Sequence, residues 1–95
     1  MKNFVLGQLV TTRAVADKMQ EDSKFASFVQ LSLGRYLNCD WGDMDAEDKA
    51  LNDAAVKSGE ERIHAAYIMK SSGLKIWIIT EWDRSVTTIL FPSDY

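Results

Sequence analysis

The stretch from Leu74 to Phe91, LKIWIITEWDRSVTTILF, constrains the fold more than any other part of the chain. Two runs rich in β-branched and aromatic residues, Leu74 to Trp82 and Val86 to Phe91, flank the polar triplet Asp83-Arg84-Ser85. That pattern is the signature of an antiparallel hairpin with a short loop. Because side chains alternate along a strand, Leu74, Ile76, Ile78, Thr80 and Trp82 are expected on one face and Lys75, Trp77, Ile79 and Glu81 on the other. Both faces are partly apolar. One is therefore expected to carry helices, and the other to be half covered or contacted from outside.

The rest of the chain has to supply what covers this hairpin. Ninety-five residues, 46% of them apolar and 26% charged, match a single folded domain with one modest core. Phe4 to Val10, interrupted by Gly7, reads as an edge strand or ordered arm. Thr11 or Thr12 caps a short helix ending near Gln20, with Val15, Ala16 and Met19 in one stripe. A second helix starts with Asp22 or Ser23 as its cap and carries Phe25, Phe28, Val29, Leu33, Tyr36 and Leu37 at three- and four-residue intervals. This is the main core helix. Gly34 inside it marks either a close helix contact or a weakened last turn.

After the polar connection NCDWGDMD, Asp45 followed by Asp48 predicts the cap of a third helix of about a dozen residues, stopped by Ser58-Gly59. Its apolar stripe, Leu51, Ala54 and Ala55, is thin, so it is expected on the surface. Arg62 to Met69 then reads as a strand, with Ile63, Ala65, Tyr67 and Met69 on one face and His64, Ala66 and Ile68 on the other. Lys70 to Gly73 supplies a turn into the hairpin. The expected class is α+β: a short N-terminal strand or arm, three helices, then a three-stranded antiparallel meander with helices on one face.

The net charge of −3 conceals an uneven layout. Asp40 to Glu61 holds eight acids against Lys49 and Lys57, a net −6, while the remainder is mildly basic at +3. Phosphate contacts need clustered Lys and Arg, so direct nucleic-acid binding is not expected. A partner protein with a basic surface is expected instead. The start MKNFVLGQLV lacks the features of a secretory signal, and no run approaches the span of about 20 apolar residues that crosses a membrane. The expected location is the cytoplasm, which suits a chain with Cys39 as its sole cysteine.

Signatures for nucleotide binding, zincin-type metalloproteases, serine hydrolases and zinc ribbons do not occur. Cys39 and the sole histidine, His64, are conceivable as a nucleophile pair, against ordinary packing of Cys39 and a satisfied or exposed His64. Asp40, Asp43, Asp45 and Asp48 do not follow the order of a calcium loop, and helix capping explains them more simply. No catalysis, cofactor or metal is expected. Trp41 is read either as a plug over the helix ends or as an exposed anchor. An outward Trp77 beside Tyr67 and Phe91 forms either an aromatic binding patch or a face covered by the N-terminal segment or a second copy of the chain. The candidate contact residues are Trp41, Asp43, Glu47, Asp48, Asp53 and Trp77.

The phrases LGQLVTTRAVADKM, FVQLSLGRYLNCDWGD, ALNDAA and KIWIITEWDRSVTTILFPSDY resemble a family of small uncharacterised, plasmid-related proteins on mobile elements of gut Firmicutes. The resemblance covers nearly the whole chain and implies a bacterial, mobile-element context without implying any chemistry. The functional expectation is a non-catalytic protein-interaction domain that offers an acidic and aromatic surface. Two narrower forms of it stand side by side: an antidefence inhibitor that mimics nucleic-acid charge, and an accessory or regulatory subunit of a plasmid maintenance or transfer system.

Overall fold

The computed structural model describes residues 4–95. In chain order the elements are β1 (Gln8–Thr11), α1 (Arg13–Glu21), α2 (Ser23–Leu37), α3 (Ala46–Ser58), β2 (Ile63–Ile68), β3 (Lys75–Thr80) and β4 (Val86–Leu90), followed by a 3₁₀ turn at Pro92–Asp94. Among the described residues no helix is long and apolar enough to cross a membrane.

The helices begin where local chemistry permits. The Thr12 hydroxyl accepts the Val15 amide at the start of α1. Asp22 ends α1 and opens α2, its carboxylate accepting the Lys24 and Phe25 amides. One side chain thus satisfies donors that a helix start would otherwise leave orphaned. Phe25, Val29, Ser32 and Tyr36 form the buried stripe of α2, with Phe28 and Leu33 half-buried against the same core. A side chain at Gly34 would meet nothing within 4 Å, so this glycine marks no close helix contact.

The fold is α+β, but the sheet differs from the expected one. It has four strands in the order β1-β4-β3-β2 and is mixed. β2, β3 and β4 pair antiparallel in sequence, and β1 adds to β4 in parallel, Gln8 beside Val86 and Thr11 beside Ile89. The parallel pair follows from direction: β4 runs back against β3 and arrives pointing the same way as β1. Gly7 makes the junction possible. It sits at φ +66°, and a side chain there would overlap the carbonyls of Arg84 and Ser85. The Gln8 amide then donates to the Ser85 carbonyl at 3.0 Å.

α1 packs on β4 and α2 on β3, while α3 lies along β2. The core between the first two helices and the sheet holds Val15, Phe25, Val29, Tyr36, Ile63, Ala65, Tyr67, Ile76, Ile78 and Ile89. The hairpin is shorter than its sequence pattern. β3 stops at Thr80, the Arg84 amide closes a turn on the Glu81 carbonyl, and Arg84 adopts φ +61°. Trp82 therefore leaves the core face assigned to it and stands 64% exposed in the turn. The acidic α3 is also rotated from its expected stripe: Asn52 and Ala55 are buried, and Leu51 is 61% exposed.

Two glycines separate the backbone requirements of this fold. Gly42 has φ +76°, and a methyl group there would overlap the Ala66 carbonyl and the Tyr67 ring, so Gly42→Ala is strained twice over. Gly34→Ala, in an open helix position, should stabilise by about 1 kcal/mol. Urea unfolding of both variants should shift the midpoint in opposite directions.

Candidate functional site

β2 is an edge strand, and its outward-facing backbone groups need partners. The acidic connection between α2 and α3 supplies them. Gly42 runs beside Ala66 as an isolated parallel bridge, the Ala66 amide donating to the Trp41 carbonyl and the Asp43 amide to the Ala66 carbonyl. The Asp43 carboxylate accepts the Ile68 amide at 2.9 Å. One step along, the Asn52 side chain accepts the His64 amide at 3.2 Å and donates to the His64 carbonyl at 2.8 Å. An amide side chain on a helix thereby imitates a neighbouring strand. This pairing is why Asn52, and not Leu51, faces inward.

Most of the acids in this segment have local duties. Asp40 binds Arg35 through both guanidinium contacts, the shorter at 2.8 Å, and this holds its carboxyl below the usual range. Asp45 caps α3 by accepting the Asp48 amide. Asp53 accepts the indole N–H of Trp41 at 2.9 Å. Trp41 is a plug: it is only 2% exposed and meets the Tyr36 ring edge-on at 5.5 Å. Its candidacy as an exposed anchor is overturned by that burial and hydrogen bond.

Beyond this cover a groove of about 510 Å³ opens between α3 and the helix-free face of the sheet. Asp43, Asp45, Asp48 and Leu51 form one wall, and Arg62 and Lys75 stand on the other. His64, Ala66 and Trp77 line the sheet side, brought together by the register that sets Ala66 beside Trp77. His64 meets Trp77 edge-on with ring centres 4.5 Å apart, and its Nε2 is buried with no hydrogen-bond partner among the described residues. Burial, with the nearby Arg62 charge, pushes the His64 pKa below its ordinary value, although Asp48 pulls the other way. Next to the groove, Tyr95 packs on Trp77, and Arg62 lies over the Tyr95 ring and donates to its hydroxyl at 3.0 Å.

The expected patch of Trp77, Tyr67 and Phe91 does not form. Tyr67 sits beside Ile76, one position out of phase with Trp77, so it points into the helix-side core and donates its hydroxyl to the Asp40 carbonyl. Phe91 packs on Phe25. Nor are Cys39 and His64 brought together: Cys39 packs against the helix-side core, and His64 faces the opposite side of the sheet. Among the described residues no group of three or more His, Cys, Asp and Glu is placed to hold a metal ion. Of the six candidate residues, Asp43, Asp48 and Trp77 line the groove. Glu47 lies on the first exposed turn of α3, and Asp53 is engaged by Trp41. His64, Arg62 and Lys75, which also line the groove, were missed as contact residues. Alternation already put His64 and Trp77 on the second faces of their strands, but only the register joins those faces. Compared with known proteins, the chain matches no family model, no curated protein and no solved structure.

Removing the Asn52 amide by Asn52→Ala strands two backbone groups of His64, and should cost about 1–3 kcal/mol in urea unfolding. His64 adds a pH signature. Its pKa is depressed in the fold, so the unfolded chain takes up the proton first. Stability from this group is complete above 6.5, the ordinary value, and is lost as pH falls from there towards the folded value. Thermal midpoints measured from about pH 7.5 to about pH 5.5 should fall for the native chain and flatten for His64→Gln.

Proposed function

We propose that the chain is a non-catalytic protein-interaction domain, in a bacterial mobile-element context, whose contact surface is the groove between α3 and the helix-free sheet face. One observation carries this reading. Asp43 and Asp45 are held in place by main-chain amides, Asp48 stands beside them, and among the described residues none of the three forms an ion pair. Asp43 and Asp45, fixed in position outside any ion pair and facing Arg62 and Lys75 only across the groove, keep a directed negative field on their wall, and attract a basic segment of a partner without first having to be ordered. Trp77 and the exposed Leu51 supply apolar surface at the same place, and Trp is the side chain most often found at energetic centres of interfaces. Glu47, on the exposed first turn of α3, extends the acidic wall. Trp41 takes no direct part.

The test is capture of partners from a lysate of the source cell on the immobilised chain, followed by binding of the purified partner. Glu47→Lys with Asp48→Lys reverses two exposed charges in the first turn of α3 that form no ion pair among the described residues, and should weaken binding by at least about tenfold, mainly through slower association. Binding of the native chain should weaken steeply as salt is raised through about 0.1 M. A partner bound equally by the double-lysine chain and by Trp77→Ala would show that the groove is not the contact.

A further inference from the structure

The two edges of the sheet are treated differently. Every outward amide of β2 has a partner: His64 from Asn52, Ala66 from Trp41 and Ile68 from Asp43. Among the described residues β1, at the other edge, has no such cover. Its parallel ladder starts with the Gln8 amide on Ser85 and is continued by the Thr12 amide on Ile89, in the register that sets Val10 beside Thr88. Alternate residues of a strand face the same neighbour, so Gln8, Val10 and Thr12 face β4. Leu9 and Thr11 then turn their N–H and C=O groups away from the sheet, and no described residue bonds to them. The strand reads Gln-Leu-Val-Thr, without a charge, a proline or a glycine, and Leu9 is 44% exposed. Among the described residues, shortness is its only defence against edge pairing.

We propose that β1 pairs antiparallel with β1 of a second copy of this chain, about a two-fold axis through Val10, to make one continuous eight-stranded sheet. The pattern is self-complementary. With Val10 opposite Val10, Leu9 of each copy faces Thr11 of the other, and each such pair exchanges two main-chain hydrogen bonds. Four bonds form, and all the outward groups of both strands are used. The two Val10 side chains meet at the close, non-hydrogen-bonded position on the helix-free face, because Val10 lies beside Thr88 and Thr88 beside Ile79. No like charges are brought together. The nearest charged side chain, Arg13, lies beyond the strand and is paired with Asp17. A foreign strand would find here neither a pocket nor a charge to select it, whereas the same patch on an identical chain matches by symmetry. The grooves beside β2 end up at the two outer edges of the joined sheet, so the dimer displays both.

Sedimentation equilibrium of the full chain from about 1 μM to about 1 mM tests this directly. The weight-average mass should rise from 10.8 kDa towards twice that value as concentration increases. Leu9→Pro deletes an outward N–H and leaves the ladder to β4 intact, and Val10→Lys places two ammonium groups face to face; each should raise the dissociation constant at least about tenfold. Circular dichroism and the thermal midpoint verify that each variant is folded, and two variants are used so that one can fail. In the native chain, hydrogen exchange at the Leu9 and Thr11 amides should slow as concentration rises. A chain that stays monomeric to about 1 mM overturns the proposal and leaves a strand of another protein as the occupant of the edge. A dimer that the folded variants leave intact also overturns it, by placing the contact elsewhere.

Discussion

A chain of three hydroxyls through the core holds the fold in one arrangement. The Thr87 hydroxyl donates to the Leu6 carbonyl at 2.7 Å, so it must accept from Thr80, which in turn accepts from Tyr36, again at 2.7 Å in each link. The four groups come from four segments: α2, β3, β4 and the arm before β1. All three side chains are fully buried, and burial drives the Tyr36 pKa strongly upward, so the phenol stays a donor. Each link adds only about 0.5–1.5 kcal/mol, but an orphaned member costs more than a made bond contributes. The chain therefore selects as much as it stabilises. Thr80 and Thr87 face each other only in the observed register, and a slip of one residue would send one hydroxyl to the other side of the sheet. With Leu6 held, Gly7 is set against the β3–β4 turn, and β1 has one place to go.

Arg84 does for the end of the sheet what the hydroxyls do for its middle. Its guanidinium donates to the carbonyls of Ala55, Glu61, Glu81 and Trp82, which joins the last turn of α3, the link into β2 and the hairpin turn. No carboxylate partners it among the described residues. A cation at the carbonyl end of a helix is placed where the helix dipole favours it. α3, which buries little apolar surface, is thus held by polar contacts at both ends and in the middle: Asp45 at its cap, Asn52 on His64 and Arg84 at its exit. The acidity of this segment follows in part from that work, since Asp43, Asp45 and Asp53 accept from two amides and an indole of the chain itself.

What could be read beforehand followed from local rules. The three helices, the cap at Asp45, those at Thr12 and Asp22 to within one residue, and the meander of β2, β3 and β4 are written in short-range patterns of periodicity and capping. The parallel pairing of β1 is not, because a four-residue strand carries no turn to announce a ladder partner at the other end of the chain. α3 was read from its apolar residues, yet its inward face is set by Asn52, whose value lies in two hydrogen bonds and not in hydrophobicity. The groove was half legible. Alternation placed His64 and Trp77 on the faces turned away from the helices, but their meeting depends on the register of β2 against β3. Trp82 misled for a simpler reason: it continues an apolar alternation past Thr80, where the turn closed by Arg84 has already begun.

The parallel closure of β1 on β4 bears on how the protein is made. A ribosome releases Gln8 to Thr11 long before Val86 to Leu90, so the sheet cannot assemble in the order of synthesis. α1 and α2, joined through the shared carboxylate of Asp22, have what they need as soon as they emerge. The arm does not. Leu9 and Val10 stay in water until the final hairpin is complete, a long-range step of the kind that slows folding. Through that interval the nascent chain carries a bare apolar strand, open to chaperones and to neighbouring chains on the same message.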